Sequence, residues 1–452
     1  MHDNGLRGGD VIGVILAGGR GERLAPLTRD RTKGAVPFGG MFRLIDFTLS
    51  NALHSGLRQI YLLPQYKYAS LKRHLNLGWS LFRPELEESL TVVPPQEGIV
   101  DGWYRGTADA VHLNREALFH SQPDVTVVLS SDHVYRMDYT DLVEFHREQA
   151  ADLTISCVEV AEETAHRFGI LQTGSGGRVH AFEEKPATRK IPSSSPGKVR
   201  ASMGLYVFDT RCLRQVLLED AARASSSHDF GHDVIPSMIQ AGYRVHAFDA
   251  RFADRACYWR DIGEVDALWD ANMDLLGASP EFDLWDRRWP ILSHRPQLAP
   301  ARLVGSSQIG ESMLSPGCVV NSACVSRSVL SRGVRIDPGA EVVDSVLFDE
   351  VHVGAGARVE RAILDKRVTI PAGLRVDSHV ELPADAAVSP GGIAVLPKES
   401  TFTSDASMDD ALRLAVGASR RDSPYPVPSS SHRDTPTDAG QPVQIGVGRD
   451  IV

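Results

Sequence analysis

Residues 11–40 read VIGVILAGGRGERLAPLTRDRTKGAVPFGG. The run Val11–Ala17 is short and almost wholly apolar, the pattern of a strand buried on both faces in a parallel sheet. Gly18, Gly19 and Gly21 follow it, removing side chains where backbone must approach a ligand closely or take a positive φ. Arg20, Arg23 and Lys33 bring fixed positive charge to the same window. Glycine amides combined with guanidinium forks suit a triphosphate or a pyrophosphate. The stretch is not a Walker A loop, because the GKS/T ending is missing, and it is not the GxGxxG fingerprint of a dinucleotide fold. A glycine turn alone predicts only a tight turn; two arginines and a lysine in the window make it a phosphate site.

Outward from this stretch, apolar runs at 60–63, 125–129, 153–158 and 204–208 alternate with helical periodicity over 44–55, 108–119 and 139–149. Alternating β and α elements predict an α/β fold with a doubly wound, mostly parallel sheet, its functional loops beyond the carboxyl ends of the strands. A stretch punctuated by Pro280, Trp285, Trp289, Pro290, Pro296 and Pro300 reads as a connector. Beyond it lies a repeat of 17 residues: Val329, Val346 and Ile363; Val334, Val351 and Val368; Ile336, Val353 and Ile370; Gly339, Gly356 and Gly373. Met313, Cys318, Val320 and Ala323 fit one turn earlier with an offset of 16. Registered columns with small residues at the corners predict a parallel β-helix, whose coils bury their core only by stacking. The expected division is an α/β domain over 1–275, a connector over 276–300, a β-helix over 301–399 and a Pro/Ser/Thr-rich tail over 400–452. The tail has too few large apolar groups to order itself, and disorder is expected from about residue 420.

The chain has 452 residues, with 48 basic against 58 acidic side chains, a net charge of −10. Such a balance disfavours non-specific binding to nucleic acid or to an anionic membrane. The five cysteines are scattered without a CxxC pair, which indicates neither a zinc site nor a disulfide framework. No run approaches the ~18 apolar residues of a membrane helix. With a polar N-terminus, the chain reads as cytoplasmic.

Three further groups carry chemistry. Asp132, in Ser130-Ser131-Asp132-His133, follows an apolar run and is placed to ligate Mg²⁺; an N-cap aspartate is the plain alternative. Asp261 offers a second carboxylate. Glu184-Lys185 sets a carboxylate beside an ammonium, suiting one sugar hydroxyl and one phosphate, or else a surface ion pair.

The motifs LAGGRGERLAPLT (16–28), FRLIDFTLSN (42–51), WYRGTADAV (103–111), SSDHVYRMDY (130–139), FGIL (168–171), FEEKPA (182–187), SMGLYVF (202–208), SSHDFG (226–231) and YWRDIG (258–263) stand in the order of a known family. From about residue 11 to 397 the chain resembles the bacterial glucose-1-phosphate adenylyltransferases, or ADP-glucose pyrophosphorylases. The first and fourth motifs are general to sugar nucleotidyltransferases; WYRGTADAV, SSHDFG and YWRDIG are the narrower ones. The resemblance implies a C-terminal left-handed β-helix, a homotetramer, and Mg²⁺-dependent adenylyl transfer from ATP to α-D-glucose 1-phosphate for glycogen or α-glucan synthesis. It assigns the β and γ phosphates to Arg20, Arg23, Lys33 and the loop Leu16, Ala17, Gly18, Gly19 and Gly21, and the adenine side to Gln65. Asp132 and Asp261 would hold the metal. Lys185 would clamp the sugar phosphate, and Tyr104, Gly169, Glu184 and Ser202 would contact the sugar. His228 and Asp229 read as sugar-side loop architecture and not as part of a hydrolytic triad.

Two departures stand out. Lys33-Gly34 replaces the family's Lys-Pro, which predicts a looser loop. Asp30 and Pro37 occupy positions where relatives carry a lysine and a histidine for anionic glycolytic effectors, while Arg43 is retained as a possible effector contact. A non-catalytic regulatory paralogue, or a transferase for another base or sugar phosphate, are the alternatives; the presence of Asp132, Lys185 and Asp261 disfavours the paralogue.

Overall fold

The computed structural model describes residues 6, 10–95, 103–187, 192, 195–252 and 255–402, so the expected tail disorder falls outside the described residues. Strand β1 (Val11–Ala17) is central. Ile12 and Val14 enter one core cluster, Val11, Ile15 and Ala17 the other, so a strand without polar alternation is covered on both faces. Helix α1 (Leu44–His54) leads to β2 (Gln59–Pro64), and β3 (Ser89–Val92) follows. Helix α2 (Thr107–Leu113), β4 (Val125–Ser130), β5 (His133–Tyr135) and α3 (Tyr139–Glu148) come next. Then come β6 (Leu153–Ala161), β7 (Gly169–Thr173), β8 (Val179–Glu184), β9 (Lys198–Asp209), α4 (Thr210–Ala221), β10 (Val245–Asp249), β11 (Trp259–Asp261) and α5 (Val265–Met273).

The large sheet runs β8-β7-β9-β4-β1-β2-β3, with β6 paired to both β9 and β10. It is mixed. β4, β1, β2 and β3 are parallel, whereas β9 runs antiparallel to β4, β6 and β7. The glycine turn leaves the carboxyl end of β1 in the parallel part, and Glu184 ends β8 in the antiparallel flank. The helix expected over 108–119 is interrupted. α2 ends at Leu113 and a single turn, Arg115–Leu118, resumes after Asn114, whose side-chain amide donates to the Tyr104 hydroxyl (2.9 Å) and the Ala110 carbonyl (2.7 Å).

From Arg302 onward, three sheets of parallel strands stack coil on coil, the third closing with one antiparallel pair, Ala387–Val388 against Ala394–Leu396. Val329, Val346 and Ile363 pair in register, as do Ile336, Val353 and Ile370. Gly339, Gly356 and Gly373 turn the corners at φ of 73°, 66° and 73°, where a side chain would be strained. One column shifts. Val320 does lie 16 residues below Ile336, but Cys324 pairs with Glu341, so Ala323 stands beneath Ala340 and not beneath Gly339. The corner between Val320 and Cys324 is one residue shorter than that between Ile336 and Glu341, and the offset changes within it. Leu330, Leu347 and Leu364 fill the coil interior, while their neighbours Val329, Val346 and Ile363 face outward into a second cluster. There they meet Leu24, Leu27, Val36, Phe38, Val265 and Leu268, so one β-helix face packs on the segment that carries the glycine turn. Among the described residues, no helix is long and apolar enough to cross a membrane.

Candidate active site

A cleft of about 550 Å³ opens beyond the carboxyl ends of β1 and β4. Leu16, Ala17, Gly18, Gly19, Arg20, Arg23, Lys33, Gln65, Tyr104, Asp132, Gly169, Glu184, Lys185, Ser202 and Asp261 all line it. Gly21 and Arg43 do not.

Gly21 lies behind the lining. Its φ is 68°, and an added Cβ would come within 2.6 Å of Lys33 Cγ and 2.9 Å of Thr28 Cγ2. Its lack of a side chain makes room for Lys33, so Gly21 packs behind the residues that face the cleft. Gly18 backs onto Gln65, whose Oε1 would stand 3.0 Å from an added Cβ and whose Nε2 donates to the Tyr104 carbonyl at 3.1 Å. The expected slack at Gly34 is absent. Lys33–Ala35 close a 3₁₀ turn, Gly34 is buried, and an added Cβ would meet the Ser131 carbonyl oxygen at 3.1 Å. Glycine here lets the Lys33 turn press against the loop that carries Asp132.

Lys33 Nζ forms an ion pair with Asp132 Oδ2, and the Ser130 hydroxyl donates to Asp132 Oδ1. Burial alone would push the Asp132 carboxyl up. Lys33, His133 and the Ser130 hydroxyl outweigh burial and hold it well below the usual carboxylate range. Burial likewise opposes the charge on Lys33, but Asp132 and Asp261 keep its pKa above the ordinary value. Asp261 reaches this place because β11 pairs with β5, setting Asp261 opposite His133. His133 Nε2 is 3.8 Å from a carboxylate oxygen of each aspartate. Asp132, His133 and Asp261 each present one ligand atom, all within 4.8 Å of one another. Two carboxylate oxygens this close together suit a hard divalent ion such as Mg²⁺, so the donor set fits.

At the other end, Glu184 is pinched between two glycines. An added Cβ at Gly169 would stand 2.8 Å from its Oε2, and one at Gly231 only 2.5 Å. Lys185 has a φ of 44° and donates from Nζ to Glu184 Oε1 at 2.6 Å. Ser202 begins a bulge in β9, and its Oγ accepts from the Gly204 amide at 3.1 Å. Tyr104 lines the cleft, and its hydroxyl accepts from Asn114. Two motifs read separately prove to be one structure. Gly106 lies against the His228 carbonyl, the Ala108 amide donates to that oxygen at 2.9 Å, and Thr107 Oγ1 donates to Asp229 at 2.9 Å. His228 is buried, with Nδ1 2.7 Å from Asp220, and so sits in loop architecture as expected.

Comparison with known proteins fits this geometry. A family model described as Nucleotidyl transferase matches residues 12–277, and one described as GlmU-like, C-terminal hexapeptide matches 299–396. The chain is 46% identical over 361 residues to a glucose-1-phosphate adenylyltransferase of Rhodopirellula baltica, across 77% of this chain and 80% of the relative. A second relative so named, glucose-1-phosphate adenylyltransferase 2 of Vibrio cholerae, is 47% identical over 349 residues, covering 75% and 86%. That of Koribacter versatilis is 43% identical over 350 residues, covering 75% and 83%. The chain belongs to the glucose-1-phosphate adenylyltransferase family.

Sequence reading missed several cleft residues of this glucose-1-phosphate adenylyltransferase family member. Tyr66, His133, Tyr206 and Trp259 all line the site, beside Asp229, which the sequence reading places on the sugar side. Each sits inside or beside a family motif, so adjacency to the motif was the available signal. Arg43 lies elsewhere, against the β-helix. Pro37 pairs directly across from it, and its Nη1 donates to Ser70 Oγ at 2.8 Å. Burial pushes Arg43 down to about 10, with nearby Arg31 and Arg332 adding to the effect and Asp46 and Asp349 opposing it. Lys366 is lowered too, first by burial and then by Arg43 and Arg31, against the pull of Asp349. Four cations thus crowd one place where the glycine segment meets the β-helix. Arg332, Asp349 and Lys366 belong to a single column, since hydrogen bonds link Asp349 to each of the others across 17 residues.

Proposed function

We propose that the protein transfers the adenylyl group of ATP to α-D-glucose 1-phosphate, giving ADP-glucose and pyrophosphate, and so supplies a glucosyl donor for glycogen or α-glucan synthesis. The observation that carries this reading is the meeting of Lys33, Asp132 and Asp261 in one cleft, between a glycine turn and the Glu184–Lys185 strand end. An oxygen of the sugar phosphate attacks the α-phosphorus in line, and pyrophosphate leaves; positioning and charge neutralisation carry the rate. Arg20, Arg23, Lys33 and the amides at Leu16, Ala17, Gly18 and Gly19 hold the outgoing phosphates. Gln65 faces the base. Lys185 clamps the sugar phosphate, Glu184 and Ser202 bind sugar hydroxyls, and Tyr104 and Gly169 shape the sugar pocket.

Asp132 and Asp261 would hold Mg²⁺, which when bound neutralises phosphate charge at the reacting centre. The buried cations at Arg31, Arg43, Arg332 and Lys366 support a site for an anionic glycolytic effector centred on Arg43. Cytoplasmic location, a homotetramer, and division into a catalytic domain over 1–275, a connector over 276–300 and a β-helix over 301–399 complete the reading.

The test is pyrophosphate release from MgATP and glucose 1-phosphate, compared with UTP, dTTP and glucosamine 1-phosphate and repeated with a panel of glycolytic intermediates. ATP with glucose 1-phosphate should give the highest kcat/KM. Lys185→Ala should raise the KM for glucose 1-phosphate about tenfold or more. No turnover with that pair, or a higher kcat/KM for another pair, would refute the assignment.

A further inference from the structure

Arg20 and Arg23 are expected to serve the same phosphates, yet they are held differently. Arg23 lies against Gly263, where an added Cβ would stand 3.2 Å from its Nη2. Arg20 is an arm in solvent, its side chain 64% exposed, with a loose 3.6 Å approach to Glu22. Its hydrogen bond runs from Nε to the Tyr66 hydroxyl at 3.2 Å, with the guanidinium carbon 5.3 Å from the Tyr66 ring centre. Bonding through Nε leaves the terminal nitrogens of the fork turned to a ligand, apart from the 3.6 Å approach of Nη1 to Glu22 Oε1. Tyr66 is itself backed, because the Trp103 ring lies 4.3 Å from it at 36°. The stack joins two loops already tied one residue away, where Gln65 Nε2 reaches the Tyr104 carbonyl.

We propose that Tyr66, supported by Trp103, is a positioning residue that presents Arg20 to the phosphates of ATP. The inference rests on the adenylyl-transfer reading of the cleft and adds a determinant of nucleotide affinity to it. A freely rotating arginine must lose rotamer freedom when it grips a ligand; an arginine already resting on a ring and a hydroxyl has lost part of it beforehand. Tyr66→Phe keeps the ring and removes the hydroxyl, and Tyr66→Ala removes both supports.

The experiment is calorimetric titration with MgATP, without sugar phosphate, of the wild type, Tyr66→Phe, Tyr66→Ala, Arg20→Ala and the Arg20→Ala/Tyr66→Phe double variant. Kinetics with both substrates run alongside. Tyr66→Phe should weaken MgATP binding about threefold to tenfold, the worth of one hydrogen bond, and Tyr66→Ala more. The KM for glucose 1-phosphate should stay within about twofold. The decisive arm is the cycle: in the Arg20→Ala background, Tyr66→Phe should change MgATP affinity by less than about twofold. An equal loss in both backgrounds would mean that Tyr66 touches the nucleotide itself and would overturn the proposal. Unchanged affinity in Tyr66→Phe and Tyr66→Ala would overturn it as well. Failure of the parent reading is separate: the wild type would release no pyrophosphate from ATP and glucose 1-phosphate.

Discussion

Arg31 and Asp365 meet at 2.9 Å although 334 residues separate them, and both side chains are buried. Asp365 also accepts from the Lys366 amide at 2.7 Å. Arg31 stands two residues before Lys33, which pairs with Asp132. A coil of the β-helix is therefore hooked to the turn that supplies a cation to the active site.

Asp365→Ala should leave the Arg31 guanidinium buried and unpaired, at a cost of about 3–5 kcal/mol. The urea midpoint should fall with an unchanged slope, and Arg31→Met combined with Asp365→Leu should recover most of the loss. A change below about 1 kcal/mol would mean that water reaches the pair and screens it.

Asp132→Asn keeps the shape of the side chain and removes the charge that Lys33 and Asp261 surround. The expected result is a fall in kcat of roughly three orders of magnitude, with MgATP affinity largely retained. Mn²⁺ binding followed by electron paramagnetic resonance should weaken in parallel. Near-normal turnover would remove Asp132 from the metal site.

Gly231→Ala would place a methyl group within 2.5 Å of Glu184 Oε2, at a position whose φ lies outside the left-handed region. The backbone tolerates alanine there, but the carboxylate must move. A shift of that kind should raise the KM for glucose 1-phosphate about tenfold to a hundredfold while leaving the KM for ATP nearly constant. An equal rise for both substrates would instead point to a general loss of fold.

His146 is buried with Nδ1 2.9 Å from Thr154 Oγ1, and burial lowers its pKa from 6.5 to about 4, against the pull of Asp209 and Asp152. Below pH 6.5 the unfolded chain takes up a proton that the folded chain refuses, so stability falls as pH drops from 6.5 toward 4. The loss should approach about 3 kcal/mol at the acid end. His146→Gln should flatten that part of the curve of melting temperature against pH; an unchanged slope would assign it to other groups.

Much of this was legible because it is periodic or local. The seven-residue run of β1 and the valine columns of the β-helix are patterns that burial imposes directly on sequence. What stayed hidden depends on contacts between distant segments. Helical periodicity runs on through Asn114, and the break there goes with its side-chain bonds to the Ala110 carbonyl and to the distant Tyr104 hydroxyl. Gly21 looks like its glycine neighbours until Lys33 is seen to fill the space beside it. Arg31 carries no local sign of its role, since its partner Asp365 lies in a coil of the β-helix. The column Arg332–Asp349–Lys366 lies within the repeat but outside the apolar and glycine positions that define it.

Stacking at 17-residue intervals makes the β-helix a ladder on which residues from separate rungs form a continuous surface. On the proposed reading of the cations about Arg43 as an effector site, exchanges at 332, 349 and 366, each 17 residues from the next, would change the anion site without altering a residue of the cleft.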